Sequence, residues 1–150
     1  MGLFVTKKDN LKIEVCYMFE NDDICILSDS DIDNIGKKDI MLGWDIPFNT
    51  LRLKAEEKKK EDIRKTNIEI RKPSFNDVSD LVAPLKNIVP GSNFSPSDII
   101  RFNNERLIIL FDNGFAEDKD GKKYDLNKDL LSKLSPNLGV AIAFKMNDFF

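Results

Sequence analysis

The chain has 150 residues, no histidine and two cysteines. Without histidine there is no Ser-His-Asp or Cys-His catalysis and no histidine zinc site, because the imidazole that those arrangements use near neutral pH is missing. Twenty-three basic and 26 acidic residues leave a net charge of −3, against the basic excess expected of a duplex-binding domain.

This length fits a single domain, residues 1–150, and the 41% apolar content with eleven Phe can fill its core. Three parts are expected: a β-rich part at 1–48, a charged helix at 49–66, and a strand plus helices at 67–150. No apolar run approaches the roughly 20 residues that a membrane-spanning helix needs. The Met1-Gly2-Leu3-Phe4-Val5-Thr6 start has no basic region ahead of its apolar patch and does not read as a signal peptide, although it formally fits a myristoylation pattern. A cytoplasmic location is the expectation.

Ile13, Val15, Tyr17 and Phe19 alternate on one strand face. Asn21-Asp22-Asp23 has turn chemistry, and Ile24-Cys25-Ile26-Leu27 reads as a second strand, completing an antiparallel hairpin. Cys16 and Cys25 lie in these apolar runs and are expected as buried free thiols. Ser28 to Asn34 reads as an acidic polar loop. Ile40 to Phe48 reads as a packed irregular segment anchored by Trp44, the one tryptophan.

Asn49 or Thr50 can cap a helix to about Lys65, with Leu51, Ala55 and Ile63 as its apolar contacts. Asn67 to Lys72 alternates as a short strand that Pro73 ends. Ser74 with Asp77 three residues on resembles a capping box, followed by Phe75, Val78, Leu81 and Val82 at helical spacing, until Pro84 interrupts. Ser95-Pro96 starts a helix expected to reach Asn113, with Gly114 at its C′ position. Asp120-Gly121 marks a tight turn. Asn127 caps a short helix, and Ser135-Pro136 begins the last one. The fold class expected is α+β: an N-terminal hairpin and one further strand, then a mainly α-helical C-terminal half.

Sites of chemistry are sparse. Placing Gly121 at position 6 of a calcium loop puts Ala116 and Asn127 where acidic ligands belong, so the EF-hand reading fails. Asp22, Asp23, Asp29, Asp31 and Asp33 have ordinary loop composition, and no nucleophile or base accompanies them as a metal enzyme would require. Phosphate-binding and nucleophile-elbow motifs are absent. No cofactor, metal or small-molecule substrate is therefore expected. Trp44, Phe48, Phe75, Phe94, Phe149 and Phe150 are the candidate apolar anchors for a protein partner. The alternative is a small nucleic-acid-associated regulator using Arg64, Lys65, Arg71 and Lys72 as a local basic patch.

Ile68-Glu69-Ile70-Arg71 leads into Lys72-Pro73-Ser74-Phe75-Asn76-Asp77 and then a helical region. This resembles the opening of tail and baseplate assembly chaperones of tailed bacteriophages, where a strand, a Lys-Pro or Arg-Pro and a Ser/Thr-Phe-x-Asp stretch lead into a small helical domain. The last helix, from Leu134-Ser135-Pro136-Asn137-Leu138 onward, is similar in character. The resemblance spans Ile68 to Phe150 and omits the hairpin, Trp44 and the charged segment. It implies a non-enzymatic role in virion assembly, with a tail or baseplate subunit as partner and the host cytoplasm as the place.

Overall fold

A computed structural model of the chain describes residues 2–82 and 96–148. The expected kink at Pro84, the Pro90-Gly91 connector and the Ser95 cap lie outside those residues, as do Phe94, Phe149 and Phe150.

Strands β1 (Leu11–Glu20) and β2 (Asp23–Leu27) form the N-terminal hairpin, with Cys16 opposite Leu27 and Glu20 opposite Asp23. Asn21 takes the left-handed conformation at φ 58°, which Asn tolerates in tight turns. Helix α1 (Asp29–Asn34) follows, then β3 (Met41–Leu42), which pairs with β4 (Leu53–Lys54). Strand β5 (Arg64–Ile70) lies along β1. After the short helix α2 (Val78–Val82) come α3 (Pro96–Leu110), β6 (Phe111–Glu117), β7 (Lys123–Asp125), α4 (Lys128–Leu131) and α5 (Pro136–Met146).

The main sheet has five antiparallel strands in the order β2-β1-β5-β6-β7. The α+β class stands, but the expected hairpin plus one further strand and a mainly helical C-terminal half is overturned. Residues Phe111–Glu117 and Lys123–Asp125 return to the sheet. Helix α3 therefore stops at Leu110 and does not run on to Asn113. Asp112, Asn113 and Gly114 are poor strand formers, yet β5 offers an open row of backbone donors and acceptors that β6 satisfies. Gly114 sits opposite Ile68, where a Cβ would meet the Asn67 carbonyl oxygen at 2.5 Å. It allows a close strand approach and does not terminate a helix. The register shifts beside it, since Glu69 faces Asn113 while Ile70 faces Phe111, so Asp112 is the extra residue of a bulge.

The charged helix expected at 49–66 is also absent. Its residues form β4, two single 3₁₀ turns at Ala55–Glu57 and Lys60–Asp62, and the start of β5. A run with so narrow an apolar stripe has almost nothing to bury as a helix. Of the two turns only Ala55 is buried. The opposite error concerns Ser28 to Asn34, a short helix held by a capping box: Asp31 N–H donates to Ser28 Oγ (3.2 Å) and Ser28 N–H to Asp31 Oδ2 (2.8 Å).

Alternation along β1 divides the interior. Ile13, Val15 and Tyr17 join Ile26, Ile68 and Ile70 under Leu107, Leu110, Leu138, Ile142 and Met146. Met18, Cys25 and Leu27 face the other way, against Leu42, Leu53 and Ala55. The sheet is thus covered by α3 and α5 on one face. The β3–β4 segment packs on the β1–β2 side of the other face, and among the described residues no element covers the β5–β6 side of that face. Tyr17 crosses three strands, donating to Glu117 O at 2.6 Å beside Thr66 Oγ1 at 3.1 Å.

Candidate functional site

The candidate anchors among the described residues, Trp44, Phe48 and Phe75, do not form one patch. Trp44 is half-buried against Phe144, with ring centroids 6.5 Å apart, and its backbone N–H donates to Ile26 O at 2.8 Å. It acts as an anchor for the segment that covers β2. Phe48 is 67% exposed in a left-handed conformation (φ 67°), on the lip of a cleft of about 560 Å³ with Asp22, Asp23 and Asn137. Phe75 is 92% exposed. Phe48 stands near the hairpin tip, whereas Phe75 follows the end of β5 that pairs with Leu11. The ten residues of β1 separate those ends by roughly 30 Å.

Phe75 has the more defined support. It opens a 3₁₀ turn, Phe75–Asp77, in which the Asp77 carboxylate collects four donors. Ser74 N–H (2.9 Å) and Ser74 Oγ (3.0 Å) donate to Asp77 Oδ2. The Arg71 guanidinium adds a two-pronged contact at 3.0 and 3.1 Å. Arg71 also donates to Ile109 O (3.1 Å), and its backbone N–H to Leu110 O (2.7 Å), so the turn is tied to the C-terminus of α3. A cation suits that helix end. Held mainly by the Arg71 hydrogen bonds, and next by the Ser74 N–H, the Asp77 carboxyl is lowered to about 2. The result is a fixed turn that projects an aromatic ring into solvent, next to the half-exposed Val78.

The Ser74–Asp77 pair was visible in the sequence, and Arg71 as its third member was not. Its signal was the short spacing from Arg71 to Asp77 across Pro73, which only the turn geometry closes. Leu3 (96% exposed) and Phe4 (79%) are further exposed apolar side chains outside the candidate anchors. They precede β1 at the end of the sheet where β5 delivers Phe75. Their apolar run was the visible signal.

The basic patch does not assemble. Arg64 donates to the carbonyls of Glu61, Ile63 and Lys119, and Lys65 lies 3.8 Å from Glu14. Arg71 is committed to Asp77, and Lys72 is also engaged. Arg64 opens the seven-residue strand β5 and Arg71 follows it, so the two are about 20 Å apart.

Both cysteines are buried and free. Burial pushes the Cys16 thiol up, with Glu14 adding to the shift, and pushes Cys25 up to about 11, where its Sγ donates to Leu51 O at 3.2 Å. Among the described residues no three Cys, Asp or Glu side chains are arranged to hold a metal ion, and no helix is long and apolar enough to cross a membrane. Comparison of the chain with protein-family models, with curated proteins and with solved structures finds no match.

Proposed function

We propose that the protein is a non-enzymatic, cytoplasmic protein-binding factor whose leading contact is Phe75. The observation that carries this reading is an almost fully exposed Phe on a turn locked by Asp77, Ser74 and Arg71. An aromatic side chain presented in this way loses little conformational freedom on docking, because its backbone is already fixed. The charged residues around it supply the polar rim of such a contact. Thiols held protonated at neutral pH are poor nucleophiles, which favours binding over covalent catalysis. A role in tailed-phage tail or baseplate assembly, with a tail or baseplate subunit as partner, is supported by the Ile68–Asp77 resemblance alone.

The test is co-purification of the partner from the native source with wild type, Phe75→Ala and Asp77→Asn. Phe75→Ala is expected to lose the partner while its melting temperature stays within about 2 °C of wild type, as for an exposed side chain. Asp77→Asn keeps the ring but loosens its support, so its capture falls to an intermediate level. Retention of the same partner by Phe75→Ala at wild-type levels would refute the reading.

A further inference from the structure

The open face of the sheet carries a second feature, independent of Phe75. Register places Lys12 opposite Glu69, Glu69 opposite Asn113, and Asn67 opposite Phe115. Alternation points these five side chains away from the face that carries Ile13, Ile68 and Ile70. Together they line a groove of about 300 Å³.

The partners already made on this face decide what remains available. Glu69 accepts from Asn10 Nδ2 (3.0 Å) and Asn113 Nδ2 (3.4 Å), and Glu14 is met by Lys65 at 3.8 Å. Neutral amides thus satisfy the hydrogen bonds of Glu69 while its charge stays beside Lys12, and Glu14 is paired with Lys65. Among the described residues the half-buried Asn67 has no side-chain hydrogen-bond partner and Lys12 no ion-pair partner. Phe115 is half-buried, its ring centroid 4.5 Å from Lys123 Nζ. The unused capacity of the groove is thus one amide with a donor and an acceptor side by side and one ammonium, while the Phe115 ring carries the exposed Lys123 ammonium over one face, which a stacking base would displace.

We infer that this groove binds a nucleotide unit, with the base stacked on Phe115, its donor–acceptor edge paired with the Asn67 amide and its phosphate held by Lys12. An Asn amide pairs two-pronged with an adenine edge, and a Phe ring on an open sheet face is a stacking platform for any base. The same chemistry is offered by a free mononucleotide or by one residue of a single strand. The balanced charge of the groove gives a long polyanion little purchase beyond that one unit.

The full chain is titrated with adenosine monophosphate, with a short single-stranded oligoadenylate and with inorganic phosphate, following backbone and Asn side-chain amide resonances. Saturable shifts at Asn67, Asn113 and Phe115 are expected with a nucleotide probe and not with phosphate. Comparable affinity for both nucleotide probes identifies a free nucleotide as sufficient, and binding of the oligonucleotide alone identifies a strand. Phe115→Leu and Asn67→Ala are each expected to weaken binding about tenfold, with melting temperature as the folding control. No saturable shift with either nucleotide probe overturns the proposal. So does equal binding of phosphate, or a set of wild-type shifts centred elsewhere, a readout that stands even if a variant fails to fold.

Discussion

At the residue scale, neighbours decide what each titratable group does. Burial raises the Cys25 thiol to about 11, so it is protonated at neutral pH and donates to Leu51 O. Neither cysteine is expected to react with a thiol reagent within minutes at pH 7.5, and both should react once the protein is denatured. Rapid native labelling of Cys25 would show that the β3–β4 cover opens readily. Asp77 works in the opposite sense. Its folded pKa of about 2 lies below the ordinary carboxyl value, so its contribution is fully present above about pH 4 and is lost as the pH falls toward 2. Asp77→Asn should cost about 1–2 kcal/mol at pH 6, the lower part of the range for charged hydrogen bonds because Arg71 is partly exposed. That difference should shrink steadily below pH 4 and be lost as the pH falls through about 2. A pH-independent difference in urea unfolding would mean that the carboxylate charge contributes nothing.

At the element scale, the outer edge of β2 is managed without another strand. The buried Asn49 amide accepts from Ile26 N–H at 2.9 Å and donates to Ile26 O at 3.0 Å, substituting for a strand partner. Asn137 Nδ2 donates to Ile24 O at 2.8 Å further along the same edge. Edges left open invite pairing with other chains. Asn49→Leu strands the Ile26 N–H and is expected to cost about 1–3 kcal/mol and to raise the aggregation rate. Unchanged light scattering with a stability change under about half a kcal/mol, the range of neutral surface substitutions, would remove the edge-blocking role. The other edge, β7, is three residues long and carries Lys123, two features that discourage pairing without any cover. In the sequence Asn49 fits a helix cap equally well. A short amide can cap a helix or mimic a strand, and sequence does not choose between the two.

At the scale of the whole molecule, two apolar clusters share one sheet. Leu110 belongs to the first, between the sheet and the helices, and Leu42 to the second, beneath β3 and β4. Both are fully buried, so Leu110→Ala and Leu42→Ala should each cost about 2–5 kcal/mol. Because β1 contributes to both clusters, each variant is expected to keep a single unfolding transition when followed by both fluorescence and circular dichroism. Two separated transitions would show that the β3–β4 segment unfolds on its own.

The sequence by itself determined the elements whose own residues carry the signal. Alternation from Ile13 to Phe19 specified β1, the Asn21-Asp22 pair its turn, and proline after serine the start at Pro136. The Ser74–Asp77 pairing was readable for the same reason: it is local. Strands β6 and β7 were decided by the tertiary structure, because Asp112, Asn113 and Gly114 are extended only where β5 presents an unpaired edge. The fate of the lysine- and glutamate-rich stretch was decided there too, since extension along β1 satisfies its last residues while a solvated helix would bury almost nothing. Exposure was decided last. Trp44 and Phe75 are both single aromatic residues in irregular segments, yet one packs on Phe144 and the other points into water. That difference depends on the path of residues far away in the chain, which local pattern does not encode.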